Sequence, residues 1–209
     1  MNLGLSWRIL CFVVTASSAL CMAQSPFARP GDPAYAPLSG QERSDRFFKD
    51  YLGSPFTYIA AAGAASGGQI GNDPKEWGRT WEGYGRRVGT TFAMFTIQTG
   101  LHEAGDAALG LDPRYFRCRC RGGLRRSWNA VQMTFLAYDS QGRTHIDFPQ
   151  FAGAYGSGMI VTTWYPRRYA PLVQGVQMGH QEMGFEVGVN LIREFSPELK
   201  RFFRKLKPH

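Results

Sequence analysis

The chain has none of the short signatures that announce common chemistries: no Gly-x-Ser-x-Gly nucleophile elbow, no Gly-x-x-x-x-Gly-Lys phosphate loop and no dinucleotide fingerprint. Gly83-Tyr84-Gly85 is too short to stand for the last of these. Cysteine is scarce, at 4 residues in 209, and Cys11 and Cys21 both fall in the first 23 positions. The fold therefore does not depend on a disulfide framework. Charged residues make up only 19% of a chain that is 44% hydrophobic, which excludes collagen-like, low-complexity and highly charged disordered polypeptides. No repeat of 20–50 residues and no strand–helix alternation is visible, so a solenoid or a doubly wound sheet is not expected.

Residues 1–23 combine Arg8, the apolar run Ile9-Leu10-Cys11-Phe12-Val13-Val14 and the small-residue end Cys21-Met22-Ala23, which is the layout of a secretory signal peptide. Cleavage after Ala23 leaves Gln24 as the mature start. A lipid anchor on Cys21 is disfavoured by the bulky Leu20 before it, and the apolar run is shorter than the ~20 residues of a spanning helix. An exported protein of the periplasm or cell envelope is expected. Loss of Arg8 lowers the formal charge from +8 to +7, so the mature chain stays basic. Basic exported proteins meet anionic lipid or envelope polymer first, and nucleic acid is not an expected partner.

Residues 24–38, with Pro26, Pro30, Pro33 and Pro37, read as a disordered linker. From 39 to 209 the pattern predicts a single domain. Ser39 and Glu42 have capping-box spacing, and Ser54-Pro55 opens a second helix that Asn72 ends. Asp73-Pro74-Lys75-Glu76 predicts the start of a long helix running toward Gly110. Gly122-Gly123 precedes a helix at 124–136, and residues 138–148 alternate as a small hairpin. Residues 169–194 read as helical, and Ser196-Pro197-Glu198 caps a final basic helix at 197–207. The predicted class is all-α: a Gly-rich, closely packed helical bundle with a small β-hairpin.

Glycine at four-residue spacing is the strongest physical signal. Gly63, Gly67 and Gly71 share one helix face, and Gly175 with Gly179, then Gly184 with Gly188, repeat the interval. Each costs nearly 1 kcal/mol of helix propensity against alanine, and the expected return is close backbone approach between helices. Residues 54–72 and 148–166 lack charge, which leaves an integral membrane protein as an alternative, although Gly, Ala, Ser and Thr fill them rather than Leu and Ile. In the last helix Leu199, Phe202, Phe203 and Leu206 form an apolar stripe beside Lys200, Arg201, Arg204 and Lys205. Such a helix either contacts an anionic membrane surface or docks on the domain's own core.

Chemistry, if present, has few carriers. Cys118 and Cys120 lie in Arg117-Cys118-Arg119-Cys120-Arg121, where guanidiniums favour thiolate. A redox pair, a metal half-site and two inert thiols compete, while a one-residue gap strains a mutual disulfide. His102 and Asp106 are one helical turn apart and are candidate metal ligands, with His180 a further one. Glu182 and Glu186 either add ligands or an acid/base pair, or belong with Asn190 and Glu194 to an exposed polar face. The aromatic and basic group Trp77, Arg79, Trp81, Tyr84, Arg86 and Arg87 has the composition of a sugar or phosphate site and equally of core aromatics with surface arginines.

Four pieces resemble a family of exported bacterial proteins of unknown function: Asp73-Pro74-Lys75-Glu76-Trp77-Gly78 continuing to Gly83-Tyr84-Gly85-Arg86-Arg87, then Asp112-Pro113-Arg114-Tyr115-Phe116, Trp164-Tyr165-Pro166, and Asn190-Leu191-Ile192-Arg193-Glu194-Phe195. The similarity spans roughly residues 54–199 and implies export and a helical fold, with no activity, cofactor or catalytic residue. The expected function is a structural or interaction protein of the cell envelope at a membrane surface, without a cofactor. An envelope enzyme, thiol-redox at Cys118 and Cys120 or a metal-assisted hydrolase around His102 and His180, is the alternative.

Overall fold

The computed structural model describes residues 30, 32–33 and 35–206, leaving the side chains of Phe203 and Leu206 aside. The expected signal peptide and Lys207 lie outside the described residues. Helix α1 covers Gly40–Asp45 and continues as a π-helical turn over Arg46–Leu52. It opens with the reciprocal capping box in which Ser39 Oγ accepts from the Glu42 N–H while the Glu42 carboxylate accepts from the Ser39 N–H. Helix α2 is Pro55–Gly71, stopped by Asn72 in the left-handed conformation at φ 52°. Helix α3 is Trp81–Leu109, α4 Gly123–Phe135, α5 Phe148–Thr162 and α6 Pro171–Leu206.

Among the described residues the only sheet is three-stranded and antiparallel, in the order β1 (Leu111–Asp112), β2 (Leu136–Asp139), β3 (Thr144–Ile146). Leu136 pairs with Ile146 and Leu111 with Asp139. The expected hairpin is therefore present, with β1 added to its edge. Asp139 holds the turn by accepting from the backbone N–H groups of Gln141 and Arg143, and from the His145 ring, at 2.9 Å each. These donors and Arg143 hold its carboxyl well below the usual range despite the opposing desolvation.

Three expectations about element boundaries are corrected. The long helix starts at Trp81, not at Pro74: Lys75–Trp77 is a short 3-10 turn, Gly78 takes φ +66°, and Thr80 caps α3 by accepting from the Gly83 N–H. The final helix is not separate, because α6 runs through Pro197. Pro197 has no N–H for the Arg193 carbonyl four residues back, and the Ser196 hydroxyl donates to that carbonyl at 2.9 Å. The Pro-rich linker is not wholly detached. Tyr35 donates to Asp112 at 2.6 Å and Arg114 to the Ala36 carbonyl at 2.9 Å, tying its far end to β1.

The helices pack in the order α2, α3, α5, α6, α4, so α4 falls out of chain order and lies on α6. Small residues set these approaches. A Cβ on Gly153 would meet the Gln98 carbonyl oxygen at 2.8 Å, one on Gly158 the Gly175 Cα at 3.2 Å, and one on Gly175 the Met159 backbone nitrogen at 2.7 Å. Gly179 lies against the Tyr155 ring. The close-approach expectation fails at Gly71 and Gly184, where a Cβ would meet nothing within 4 Å. Gly63 and Gly67 are half-buried; α2 turns Thr57, Ala61 and Ala65, also four apart, inward instead. Gly188 is buried. No helix among the described residues is long and apolar enough to cross a membrane.

Candidate functional site

The interior of the bundle is unusually polar. Asp106, Glu194 and Thr134 are at most 1% exposed, and Asn190, Ser196 and Thr162 are 2% exposed, while Leu124 and Trp81 are each 87% exposed. Of the exposed face expected for Glu182, Glu186, Asn190 and Glu194, α6 turns Glu182, Asn190 and Glu194 inward and leaves Glu186 half-buried. Four-residue spacing fixes only that they share a face, and the partners on α4 and α3 decide which way it points.

The first buried cluster joins His102 and Asp106 on α3 to Asp147, the N-cap residue of α5. Gly105 permits this meeting: a Cβ there would lie 2.6 Å from the Pro149 side chain, so any larger residue would push the first turn of α5 off α3. Asp147 divides its carboxylate. Oδ1 accepts from the Gln150 N–H at 2.9 Å, as an N-cap should, and Oδ2 lies 3.1 Å from His102 Nε2. Asp106 Oδ2 lies 3.2 Å from the same nitrogen. A single Nε2–H serves only one carboxylate, and it points at Asp147; both Asp106 oxygens are buried without a hydrogen-bond partner.

Burial by itself pushes the His102 imidazole down, but the two carboxylates outweigh it and carry the group up to about 10. Asp106 is raised, first by burial, then by Asp147 and Glu103, against the pull of His102. The donor set of one imidazole and two carboxylates suits a divalent cation. An ion about 2.1 Å from each donor places neighbouring donors about 3.0 Å apart in octahedral and about 3.4 Å in tetrahedral geometry. The observed separations of 3.1 and 3.2 Å fall in that interval.

The sequence pairs His102 with Asp106 but links them to His180, and here the structure differs. His180 is exposed, donates Nδ1–H to the Val176 carbonyl at 2.7 Å and stands edge-on to Tyr155, outside the cluster. Asp147 was missed. Its signal was present, as Asp before Phe148-Pro149 is an N-cap followed by a first-turn proline.

The second cluster centres on Glu194. Its carboxylate accepts from the Tyr115 hydroxyl at 2.6 Å, the Cys118 N–H at 3.0 Å, Arg126 Nε at 3.1 Å and Asn129 Nδ2 at 3.3 Å. Arg126 also donates to Glu198 at 2.5 Å and stacks on Phe195. Burial, then Glu194, raises the Tyr115 phenol. This hub holds residues 115–118 against α4 and α6. Cys118 and Cys120, both half-buried, form a disulfide with Cα atoms 5.2 Å apart, so the strain expected of a one-residue gap does not prevent the bond. In this state they are neither two free thiols nor a metal half-site.

Around Trp77 the arginines bond to the protein itself, while Trp77, Arg86, Thr90 and Trp164 line a cavity. Arg87 is 3% exposed and donates to the carbonyls of Asp73, Pro74 and Gly78 and to Gln69 Oε1 at 2.7–2.9 Å, clamping the loop after α2. Arg86 pairs with Glu82, and Arg79 donates to the Ile70 carbonyl. At the end of α6, Leu199 is half-buried, Phe202 is 57% exposed, and Lys200, Arg201, Arg204 and Lys205 are exposed. The expected stripe residues Phe203 and Leu206 have side chains outside the described set.

No protein-family model, curated protein or solved structure matches the chain.

Proposed function

We propose that this chain is an exported helical protein of the cell envelope, of structural or interaction type, built around a divalent-metal centre formed by His102, Asp106 and Asp147. One observation carries the metal reading: a fully buried carboxylate, Asp106, has no hydrogen-bond donor and faces an imidazole nitrogen already engaged by Asp147. The ion would bind Asp106 Oδ2, Asp147 Oδ2 and a deprotonated His102 Nε2, cross-linking α3 to the start of α5. His102, whose side chain is 22% exposed, is the member of the set through which water would reach such an ion. The family resemblance and the leader-like N-terminus support export, and both belong to this proposal.

Metal analysis of the purified mature chain tests it, together with thermal unfolding in zinc, in manganese and in chelator. One equivalent of ion is expected. At a hundredfold excess over Kd the ion stabilises the chain by about 2.7 kcal/mol, an increment that Asp106→Asn and His102→Ala each remove. Absence of bound metal together with identical unfolding in ion and in chelator would refute it.

A second observation favours attachment to an anionic membrane surface. On α4, Leu124 (87% exposed), Trp128 (61%) and Phe135 (36%) form an outward apolar stripe, while Ala130 and Thr134 face inward. Arg121 and Arg125 are exposed nearby, and cations crowd the end of α6, so the surface complements acidic headgroups. Co-sedimentation with vesicles containing phosphatidylglycerol should fall several-fold in a Leu124→Ser/Trp128→Ser variant; unchanged sedimentation would count against this surface.

A further inference from the structure

We infer that the Cys118–Cys120 disulfide is a thiol–disulfide exchange site whose substrates are protein dithiols. The inference is independent of the metal centre. Three observations carry it. First, the bond closes a loop of only three residues, and loop closure of that size gives roughly half the chain-entropy stabilisation of a fifteen-residue loop. Second, the Cys118 side of the loop is anchored independently of the bond. The Glu194 carboxylate holds Tyr115 and the Cys118 N–H, and Asn129 donates to the Phe116 carbonyl at 3.2 Å, so the same anchors persist when the sulfurs part. Third, the two sulfurs are not equivalent. The Cys120 N–H points at Cys118 Sγ from 3.1 Å, so the charge that develops on Cys118 when the bond breaks meets a backbone donor.

These features define a direction. A substrate thiolate attacks Cys120 Sγ, the S–S bond breaks, and Cys118 leaves as the thiolate facing the Cys120 N–H. The second substrate thiolate then attacks its own partner's sulfur in the mixed disulfide and releases Cys120. The dithiol is oxidised to a disulfide by two electrons, and the Cys118–Cys120 pair is reduced by the same two, taking up protons from solvent as pH dictates. Arg121, exposed next to Cys120, favours substrates with acidic residues near the thiols, whereas Arg119 is held by Asp32 at 2.6 Å.

The test uses the mature full-length chain and a synthetic peptide carrying two cysteines and flanking aspartates. The oxidised protein should convert one equivalent of peptide dithiol to disulfide at least about tenfold faster than oxidised glutathione at equal concentration, and the Cys118→Ser/Cys120→Ser double variant should convert none. Reduction should leave the far-UV spectrum unchanged and lower the thermal midpoint by only a few degrees, the loss of a three-residue loop closure, because the Glu194 hub remains. The single variant Cys118→Ser should hold glutathione on Cys120 as a stable mixed disulfide, which reduced wild type does not accumulate because Cys118 expels it. An exchange rate no faster than glutathione's, a large drop in the midpoint on reduction, or no mixed disulfide on Cys120 would each overturn the inference.

Discussion

Replacing Glu182 by glutamine tests how much charge the interior of this bundle tolerates. Glu182 is 9% exposed on α6, and its carboxyl is pushed up to about 7, first by burial and then by Glu186 one turn on, with the Gln98 side chain opposing. Glu186 is itself held by Arg193 at 2.8 Å. Tyr51 is the other titratable group that senses Glu182, and its phenol is also raised, chiefly by burial.

A carboxyl raised in the folded state binds its proton more tightly there than in the unfolded chain. Its stabilising contribution is complete below the unfolded value of 4.5 and is lost as pH rises through about 7. The shift corresponds to on the order of 3 kcal/mol between those limits. Glutamine keeps the shape and a hydrogen-bonding end for Gln98 without titrating. Urea unfolding at pH 5, 6.5 and 8 should therefore show Glu182→Gln more stable than wild type by about 3 kcal/mol at pH 8 and by about 1 kcal/mol at pH 5. A difference that does not change with pH, or a variant less stable than wild type at pH 8, would show that Glu182 stays ionised in the fold and that the reasoning fails.

Two further outcomes separate packing from propensity and test the Glu194 hub. Gly184→Ala and Gly85→Ala add a methyl where nothing lies within 4 Å, so each should raise stability by up to about 1 kcal/mol in chemical denaturation, whereas Gly175→Ala, aimed at the Met159 backbone, should lower it. Glu194→Gln turns an amide donor toward the Tyr115, Cys118, Arg126 and Asn129 donors and leaves Glu198 as the only carboxylate paired with Arg126, so a loss of about 3–5 kcal/mol is expected by the same assay. A loss below about 1 kcal/mol would mean that the carboxylate is solvated rather than central.

Local chemistry was readable along the chain because it acts within a few residues. Ser39 with Glu42, Ser54-Pro55 closing at Asn72, the helix after Gly122-Gly123 and the turn at Asp139–Gly142 follow from capping and turn rules, and all appear in the fold. Pro197 shows the limit of such rules. A proline that reads as a boundary sits inside α6 because Ser196 takes over the orphaned Arg193 carbonyl.

Spacing alone fixed which side chains share a face, so Glu182, Asn190 and Glu194 were grouped correctly. Their inward direction came from Arg126, Asn129 and Thr134 on α4 and from Gln98 on α3, contacts that no helical period encodes. Likewise His102 and Asp106 were paired by one turn of helix, whereas Asp147 joined them only through the close docking that Gly105 allows. The Ser39 and Asn72 caps, the hairpin turn and the polar grouping were legible in the chain, since these depend on neighbours within one or two turns. The tertiary structure decided which glycines meet a backbone, which carboxylates are buried and which residues form a site, because those outcomes depend on partners tens of residues away.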